Sequence, residues 1–300
     1  GSAGLVAALI AATLKAKVTL IERHKMGGDC LNTGCVPSKA LLRSAHVARE
    51  MRRAPEFGLA PVEVAVRFPE VMERVQAKIA AIEPHDSVER FTSLGVDCVA
   101  GDARIVSPWE VEVNGERITT RTIVIASGAR ARVPDLPGLE ELDSLTSDTL
   151  WEIRELPQRL LVVGGGPIGC ELAQAMADLG AEVTLVTHAE RIMPREDADA
   201  TAIVHARLVE RGIRIYTQCE PQRFARDSGE QVVFCQRDGA PLEVRFDRLL
   251  LAVGRTPNTE GLGLEELGIR TTGRGTLEVD DFLQTAVPTS FACGDIVGPY

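Results

Sequence analysis

Several features are missing from this sequence, and each absence closes off a class of function. There is no excess of basic residues: 33 Lys and Arg stand against 43 Asp and Glu, a net charge of −10. A general nucleic-acid binder needs a basic face, and an anionic membrane surface would repel such a chain. No apolar run is long enough to cross a bilayer; residues 5–14 are apolar but end at Lys15. A cysteine framework is also missing. Cys30, Cys35, Cys98, Cys170, Cys219, Cys235 and Cys293 are odd in number and scattered through 300 residues. That pattern excludes a small secreted disulfide scaffold and fits a reducing cytoplasm. Finally, the chain opens at Gly1-Ser2-Ala3-Gly4 without Met or a leading strand and stops at Tyr300 soon after Gly294-Asp295. A fragment lacking both ends is expected, so a leader peptide is left open.

What is present is ample apolar content, 45% hydrophobic residues, in a length that suits two domains. Its focal stretch is Gly27-Gly28-Asp29-Cys30-Leu31-Asn32-Thr33-Gly34-Cys35-Val36-Pro37-Ser38-Lys39. A zinc knuckle needs a second ligand pair downstream, and none exists. The spacing suits a small disulfide loop at the start of a helix, where the dipole and free N–H groups favour a thiolate. It suits two ordinary buried cysteines equally well. The other five cysteines read as small buried thiols, and no metal site is expected.

Offset by 165 residues, the chain matches itself: Gly1 falls on Gly166, Gly4 on Gly169, and Val18-Thr19-Leu20 on Val183-Thr184-Leu185. Each copy reads as a glycine turn, a helix (5–15 and 168–179) and a β-rich strand. The second copy keeps its first strand, Leu160-Leu161-Val162-Val163, which runs into Gly164-Gly165-Gly166-Pro167-Ile168-Gly169. G-x-G-x-x-G between strand and helix is the dinucleotide fingerprint, with Gly164, Gly166 and Gly169 admitting a pyrophosphate to the helix N-terminus. Glu22 closes the first copy's strand and suits an unmodified ribose. The second copy has Thr187 there, followed by His188 and Arg191. No carboxylate repels a 2′-phosphate, which tilts this site towards NADPH over NADH.

Between the copies, a helix is expected over 68–94, with Val71, Val75, Ile79 and Ile82 on its core face and a break at Pro84. A hairpin follows at Glu110-Val111-Glu112-Val113, turning at Asn114-Gly115. Residues 122–126 form an apolar strand before Ser127-Gly128, and Pro134 and Pro137-Gly138 mark a linker. Residues 231–236 and 244–246 read as paired strands, and 249–253 as a buried strand ending at Gly254-Arg255-Thr256-Pro257-Asn258.

With these motifs in hand, the chain resembles the flavin-dependent pyridine nucleotide–disulfide oxidoreductases, over nearly its whole length. Cys30 to Lys39 resembles the family's redox-active disulfide motif. Gly1 to Glu22 is similar to its FAD-binding start, and Ser127-Gly128 to its second FAD-contacting turn. Gly164 to Gly169 resembles its nicotinamide-dinucleotide loop, while Gly254-Arg255 and Gly294-Asp295 resemble late signatures. The resemblance implies an α/β fold of two Rossmann-like domains. A discontinuous FAD domain (1–138 and 271–300) would carry an inserted NAD(P) domain (139–270). The family's C-terminal dimerisation domain, with its His–Glu acid–base pair, would be missing from this chain. It also implies roles. Cys30 would be the interchange thiol and Cys35 the flavin-side sulfur. Glu171 would lie near the isoalloxazine with Lys39 as its cationic partner, and Asp295 on the ribityl chain. Gly1, Gly4, Glu22, Gly28, Ser127, Gly128, Gly254 and Arg255 would join the cofactor contacts. His24, His46, His85, His188 and His205 all stand away from the position of the family's acid–base histidine.

The activity so implied passes electrons between NAD(P)H and a small disulfide, dithiol or thiol-bound metal ion, through FAD and a Cys30–Cys35 disulfide. It would belong to a cytoplasmic homodimer, mercuric reductase-like or dihydrolipoamide dehydrogenase-like, with no nucleic-acid or membrane partner. Two rivals stand beside it. A flavin NAD(P)H oxidase or reductase without a working disulfide would turn over unchanged after Cys30→Ser. A non-enzymatic nucleotide-responsive binding protein would purify colourless.

Overall fold

The computed structural model describes residues 1–298. The chain divides into two compact units: Gly1–Asn32, Ile79–Arg130 and Arg255–Tyr300 form the first, Thr33–Lys78 and Ala131–Gly254 the second. The sequence boundaries at 138 and 270 do not coincide with these. Residues 33–78 group with the second unit because helix Cys35–Arg52 packs along helix Pro167–Leu179. The second unit also ends at Gly254, soon after its last sheet strand, rather than at 270.

The second unit is built on a five-stranded parallel sheet. Leu160-Leu161-Val162-Val163 are all buried in strand Arg159–Val163, as a central strand covered on both faces requires. Next to it lie Glu182–Val186 and then Arg214–Tyr216 on one side, Arg248–Leu251 and then Ser144–Thr146 on the other. The chain therefore winds outward one way and crosses back. That reversal puts the topological switch at the C-terminal end of Arg159–Val163, where open α/β sheets bind ligands. An antiparallel sheet, Cys219–Asp227, Glu230–Arg237 and Ala240–Phe246, completes the unit. It turns at Ser228-Gly229 and Asp238-Gly239, all four residues at positive φ, as two-residue hairpin loops require. Its second and third strands match the pair expected at 231–236 and 244–246, while the first is too polar to read as a strand. Phe224 and Phe246 meet edge to face at 6.3 Å in the core beneath.

In the first unit, helix Ser2–Thr13 leads into strand Val18–Glu22, which pairs in parallel with Val96–Ala100. The helix stops short of the expected residue 15 because Lys15 turns left-handed at φ 65°. Ser290–Ala292 pairs in parallel with Ile123–Ile125. The hairpin Glu110–Val113 to Glu116–Thr119 forms as expected, with Asn114 and Gly115 at positive φ, and Ala103–Ser107 joins it as a third strand.

The expected helix over 68–94 is three pieces: Phe68–Ile82, a 3₁₀ turn Glu83–Asp86 holding Pro84, and Val88–Ser93, capped by the Ser87 hydroxyl accepting from the Arg90 N–H. Its buried stripe is Phe68, Met72 and Val75, and Ile82 is 39% exposed. The stripe leaves the core where the chain passes from one unit to the other, at Lys78–Ile79.

Candidate functional site

The second unit brings a glycine turn, an ion pair and one cysteine onto two packed helices. Gly164 follows the central strand at φ 120°, and a Cβ there would lie 2.2 Å from the Ala252 carbonyl; one on Gly169 would lie 2.0 Å from the Gly164 carbonyl. Only glycine permits this closeness of turn, helix and sheet. A Cβ on Gly166 would meet nothing within 4 Å. Gly166 is the N-cap of helix Pro167–Leu179, with Pro167 in its first turn. The turn is thus tight behind and open in front, with helix N–H groups facing the opening, which is the shape an anionic pyrophosphate needs.

Two residues beyond Gly169, the Glu171 carboxylate forms an ion pair with the Lys39 ammonium. Lys39 stands one turn along the helix that begins at Cys35, whose N-cap is Gly34. Cys35 is exposed at that N-terminus. The expected Lys39–Glu171 partnership is therefore present. Farther along the same helix pair, the buried Asp178 carboxylate is met by Arg49 at 3.6 Å and by Arg211 at 3.3 Å.

Of the strand-end residues Thr187, His188 and Arg191, two are engaged within the protein. Thr187 is buried at 5% exposure; its side chain packs behind Gly165 and its hydroxyl accepts from the Ala189 N–H at 3.3 Å. It is therefore turned away from solvent. The Arg191 guanidinium donates to the carbonyls of Glu196 and Pro194, at 3.1 and 3.0 Å. His188 is the exposed member of the three. The loop beyond folds back over the glycine turn, Met193 N–H donating to the Gly165 carbonyl at 2.6 Å.

In the first unit, Gly1 and Gly28 approach so closely that a Cβ on Gly28 would lie 2.3 Å from the Gly1 Cα. Glu22, at the end of its strand, reaches back to the Gly1 nitrogen at 3.1 Å, so the acidic strand end and the glycine turn share one corner. Gly4 lets the first helix sit on Ala126 and Leu20. Cys30 lies in the short helix Gly28–Asn32, which Asn32 closes by donating to the carbonyls of Met26 and Gly28. Ser127-Gly128 is clasped to Asn258: the Ser127 hydroxyl donates to the Asn258 carbonyl at 2.8 Å, and the Asn258 amide and N–H return bonds to Ser127 and Gly128. Arg255 ties three segments together. Its guanidinium pairs with Asp29 and donates to the Ala129 carbonyl, while Nε lies 3.2 Å from the Asp295 carboxylate in an ion-pair contact. Gly294 stands beside Ala3.

All seven cysteines are thiols in this structure, so a Cys30–Cys35 bond is not observed. Cys170, Cys219 and Cys235 are buried, Cys98 and Cys293 half-buried. Burial pushes the Cys170 thiol up to about 11 and raises those of Cys219 and Cys235 as well. Among the described residues no group of three or more His, Cys, Asp or Glu side chains could hold a metal, and no helix is long and apolar enough to cross a membrane.

The family model for pyridine nucleotide-disulphide oxidoreductases matches residues 1–300. The chain belongs to this family. Among curated pyridine nucleotide-disulphide oxidoreductase relatives, a mercuric reductase of Staphylococcus aureus is 33% identical over 300 residues, covering 100% of this chain and 55% of its own length. A dihydrolipoyl dehydrogenase of Bacillus subtilis is 36% identical over 317 residues, covering 99% of this chain and 66% of its own. Among solved structures, the HOCl-induced flavoprotein disulfide reductase RclA of Escherichia coli superposes with a TM-score of 0.85 at 29% identity, over 100% of this chain and 65% of that one. The chain thus spans about half to two thirds of the length of its relatives.

Membership in this family implies FAD and a pyridine nucleotide as cofactors. The glycine turn at the second helix fits such a group, because the space in front of Gly166 is open and leads to a helix N-terminus. Motif reasoning missed Asp29, which lies inside the cysteine segment but carries no pattern of its own. It also missed Asn258 as a clasp. The late signature Gly254-Arg255-Thr256-Pro257-Asn258 was visible as a motif, but its partners are fixed only by folding.

Proposed function

We propose that this chain is the dinucleotide-binding part of an FAD-dependent oxidoreductase that moves electron pairs between NAD(P)H and sulfur. The observation that carries this reading is the Lys39–Glu171 ion pair. It fastens the helix that opens at Cys35 to the helix that opens at the dinucleotide turn. A nicotinamide nucleotide held at Gly164, Gly166 and Gly169 and a reactive sulfur would then share one rigid pair of elements.

Glu22, Gly1, Gly4, Gly28, Ser127, Gly128, Gly294 and Asp295 would hold FAD, with Arg255 fixing Asp295. When bound, the flavin supplies the exchange between hydride transfer and thiol chemistry that no side chain can perform. The chain's own part is to bind, orient and hold protons. In the reducing direction NAD(P)H gives up a hydride, the Cys30–Cys35 bond breaks, and one further proton completes the two thiols. The Cys30 thiol then attacks a substrate disulfide, releasing one substrate thiol. Cys35 closes the loop again and releases the other.

The substrate class is a small disulfide, a dithiol or a thiol-bound metal ion. The mercuric reductases among the relatives, and RclA, also solved as a Cu(II) complex, support the metal–thiol member. His188, exposed where no carboxylate closes the strand, favours NADPH. The whole protein would work as a cytoplasmic homodimer.

The test is anaerobic reduction of the full-length protein by NADPH, followed by thiol counting and absorption spectroscopy. Two new thiols at Cys30 and Cys35, with a long-wavelength thiolate–flavin band, are expected, and Cys30→Ser should abolish turnover with disulfides. Unchanged turnover in that variant would instead identify a flavin reductase without a working disulfide.

A further inference from the structure

Trp151 is fully buried, at 3% exposure, on a 3₁₀ turn far in sequence from the cysteine motif. Its indole N–H is shared between two carbonyls, Ser147 at 2.6 Å and Thr33 at 2.9 Å. Thr33 lies two residues before Cys35, and Gly34 between them is an N-cap without a side chain to hold the helix entry. The segment ahead of Cys35 is thus gripped from outside by an indole. The indole's own backbone is gripped in turn. The Trp151 carbonyl accepts from Gln76 Nε2 at 3.1 Å and from the Arg154 guanidinium at 3.2 Å, and Arg154 pairs with Glu73 at 2.7 Å. One chain of hydrogen bonds runs from helix Phe68–Ile82 through Trp151 to the Thr33 carbonyl.

We infer that Trp151 is a positioning residue for the cysteine loop, acting through Thr33 to set how readily Cys30 and Cys35 join. This rests on the redox reading proposed above. Closing the loop removes two electrons and two protons from the two thiols, which oxidised glutathione takes up as it becomes two glutathione thiols. The disulfide fixes the loop by itself, so an external anchor matters most in the dithiol form. There it removes freedom that ring closure would otherwise have to remove. Losing the anchor leaves the dithiol looser and shifts the equilibrium towards it. Had the buried tryptophan served only as core, removing its N–H alone would leave that equilibrium unchanged, whatever a loss of packing did to stability.

The experiment equilibrates the flavin-loaded full-length protein anaerobically in glutathione buffers of graded ratio, traps thiols by alkylation and reads the Cys30–Cys35 peptide by mass spectrometry. Trp151→Phe is compared with wild type. So is an isosteric replacement at 151 by benzothienylalanine, which keeps the shape and lacks only the N–H. Both replacements are expected to lower the equilibrium constant for disulfide formation about tenfold, a rise of about 30 mV for a two-electron couple. A constant within about twofold of wild type for the isostere overturns the inference and leaves the redox reading standing, even if the Phe variant shifts through lost packing. A wild type that forms no Cys30–Cys35 bond at any ratio overturns the redox reading, and this inference with it.

Discussion

At the scale of single residues, the seven thiols sort by surroundings rather than by sequence. Cys35 is exposed at a helix N-terminus, whereas Cys170 opens the other helix from inside the core and its Sγ faces the Gly165 carbonyl at 3.5 Å. Burial raises the Cys170 thiol to about 11, so at pH 8 about one molecule in a thousand would carry that thiolate. A charged disulfide reagent at pH 8 should therefore label Cys35 within minutes in the folded protein and leave Cys170, Cys219 and Cys235 untouched until denaturant is added. Peptide mapping over time checks this. Early labelling of Cys170 would mean its helix opens far more readily than its packing suggests. Sequence spacing picked out Cys30 and Cys35 as special, and it could not rank the remaining five, because burial is a property of the packed chain.

At the scale of elements, the dinucleotide turn makes different demands on each glycine. Gly164→Ala combines a left-handed φ of 120° with a Cβ 2.2 Å from the Ala252 carbonyl. A loss of about 3 kcal/mol or more in unfolding free energy is expected, from backbone strain added to overpacking. Gly166→Ala meets open space and has an extended backbone, so stability should change by less than about 1 kcal/mol. On the nucleotide reading proposed above, the added Cβ would crowd the pyrophosphate, and binding of NAD(P)H should weaken by at least about tenfold, or ~1.4 kcal/mol. Denaturant titration and calorimetric titration of the two variants separate the effects. Normal NAD(P)H affinity in Gly166→Ala would remove this turn from the nucleotide site. The fingerprint marked three glycines here. Which of them the fold requires depends on what stands opposite each Cα, and the neighbours of Gly164 come from the distant segment 252–253.

At the scale of the whole molecule, acid stability should follow a few paired carboxylates. Asp247 joins the start of the central strand to the antiparallel sheet: it accepts from the Arg159 N–H at 2.9 Å and pairs with that guanidinium at 2.7 Å. Arg159 holds the Asp247 carboxyl below the ordinary carboxylate range, and Arg245 does the same for Asp227. A depressed folded-state value means that the ionised form favours the native chain. Stability from these groups is therefore complete above the unfolded value of about 3.9 and fades as pH falls through the folded value. Thermal midpoints should be flat from pH 7 to about 5 and drop steeply below about 4. Asp247→Asn should lower the midpoint by roughly 2–4 °C at pH 7, because the pair is half-exposed and worth about 1 kcal/mol at most. At pH 3 the difference from wild type should shrink. A difference that persists unchanged at pH 3 would assign the loss to packing instead of charge.

The sequence by itself determined the elements whose signal is local: the glycine turns, the hairpin at Asn114-Gly115, the buried strands and the family to which the chain belongs. These depend on side chains within a few residues of one another, where periodicity and backbone preference act directly. Only the tertiary structure decided that Arg255 gathers Asp29 and Asp295, that Thr187 is turned inward, and that an indole 118 residues away holds the chain ahead of Cys35. Such contacts form between segments distant in the chain. They follow from how whole elements pack, and no local pattern of residues records that.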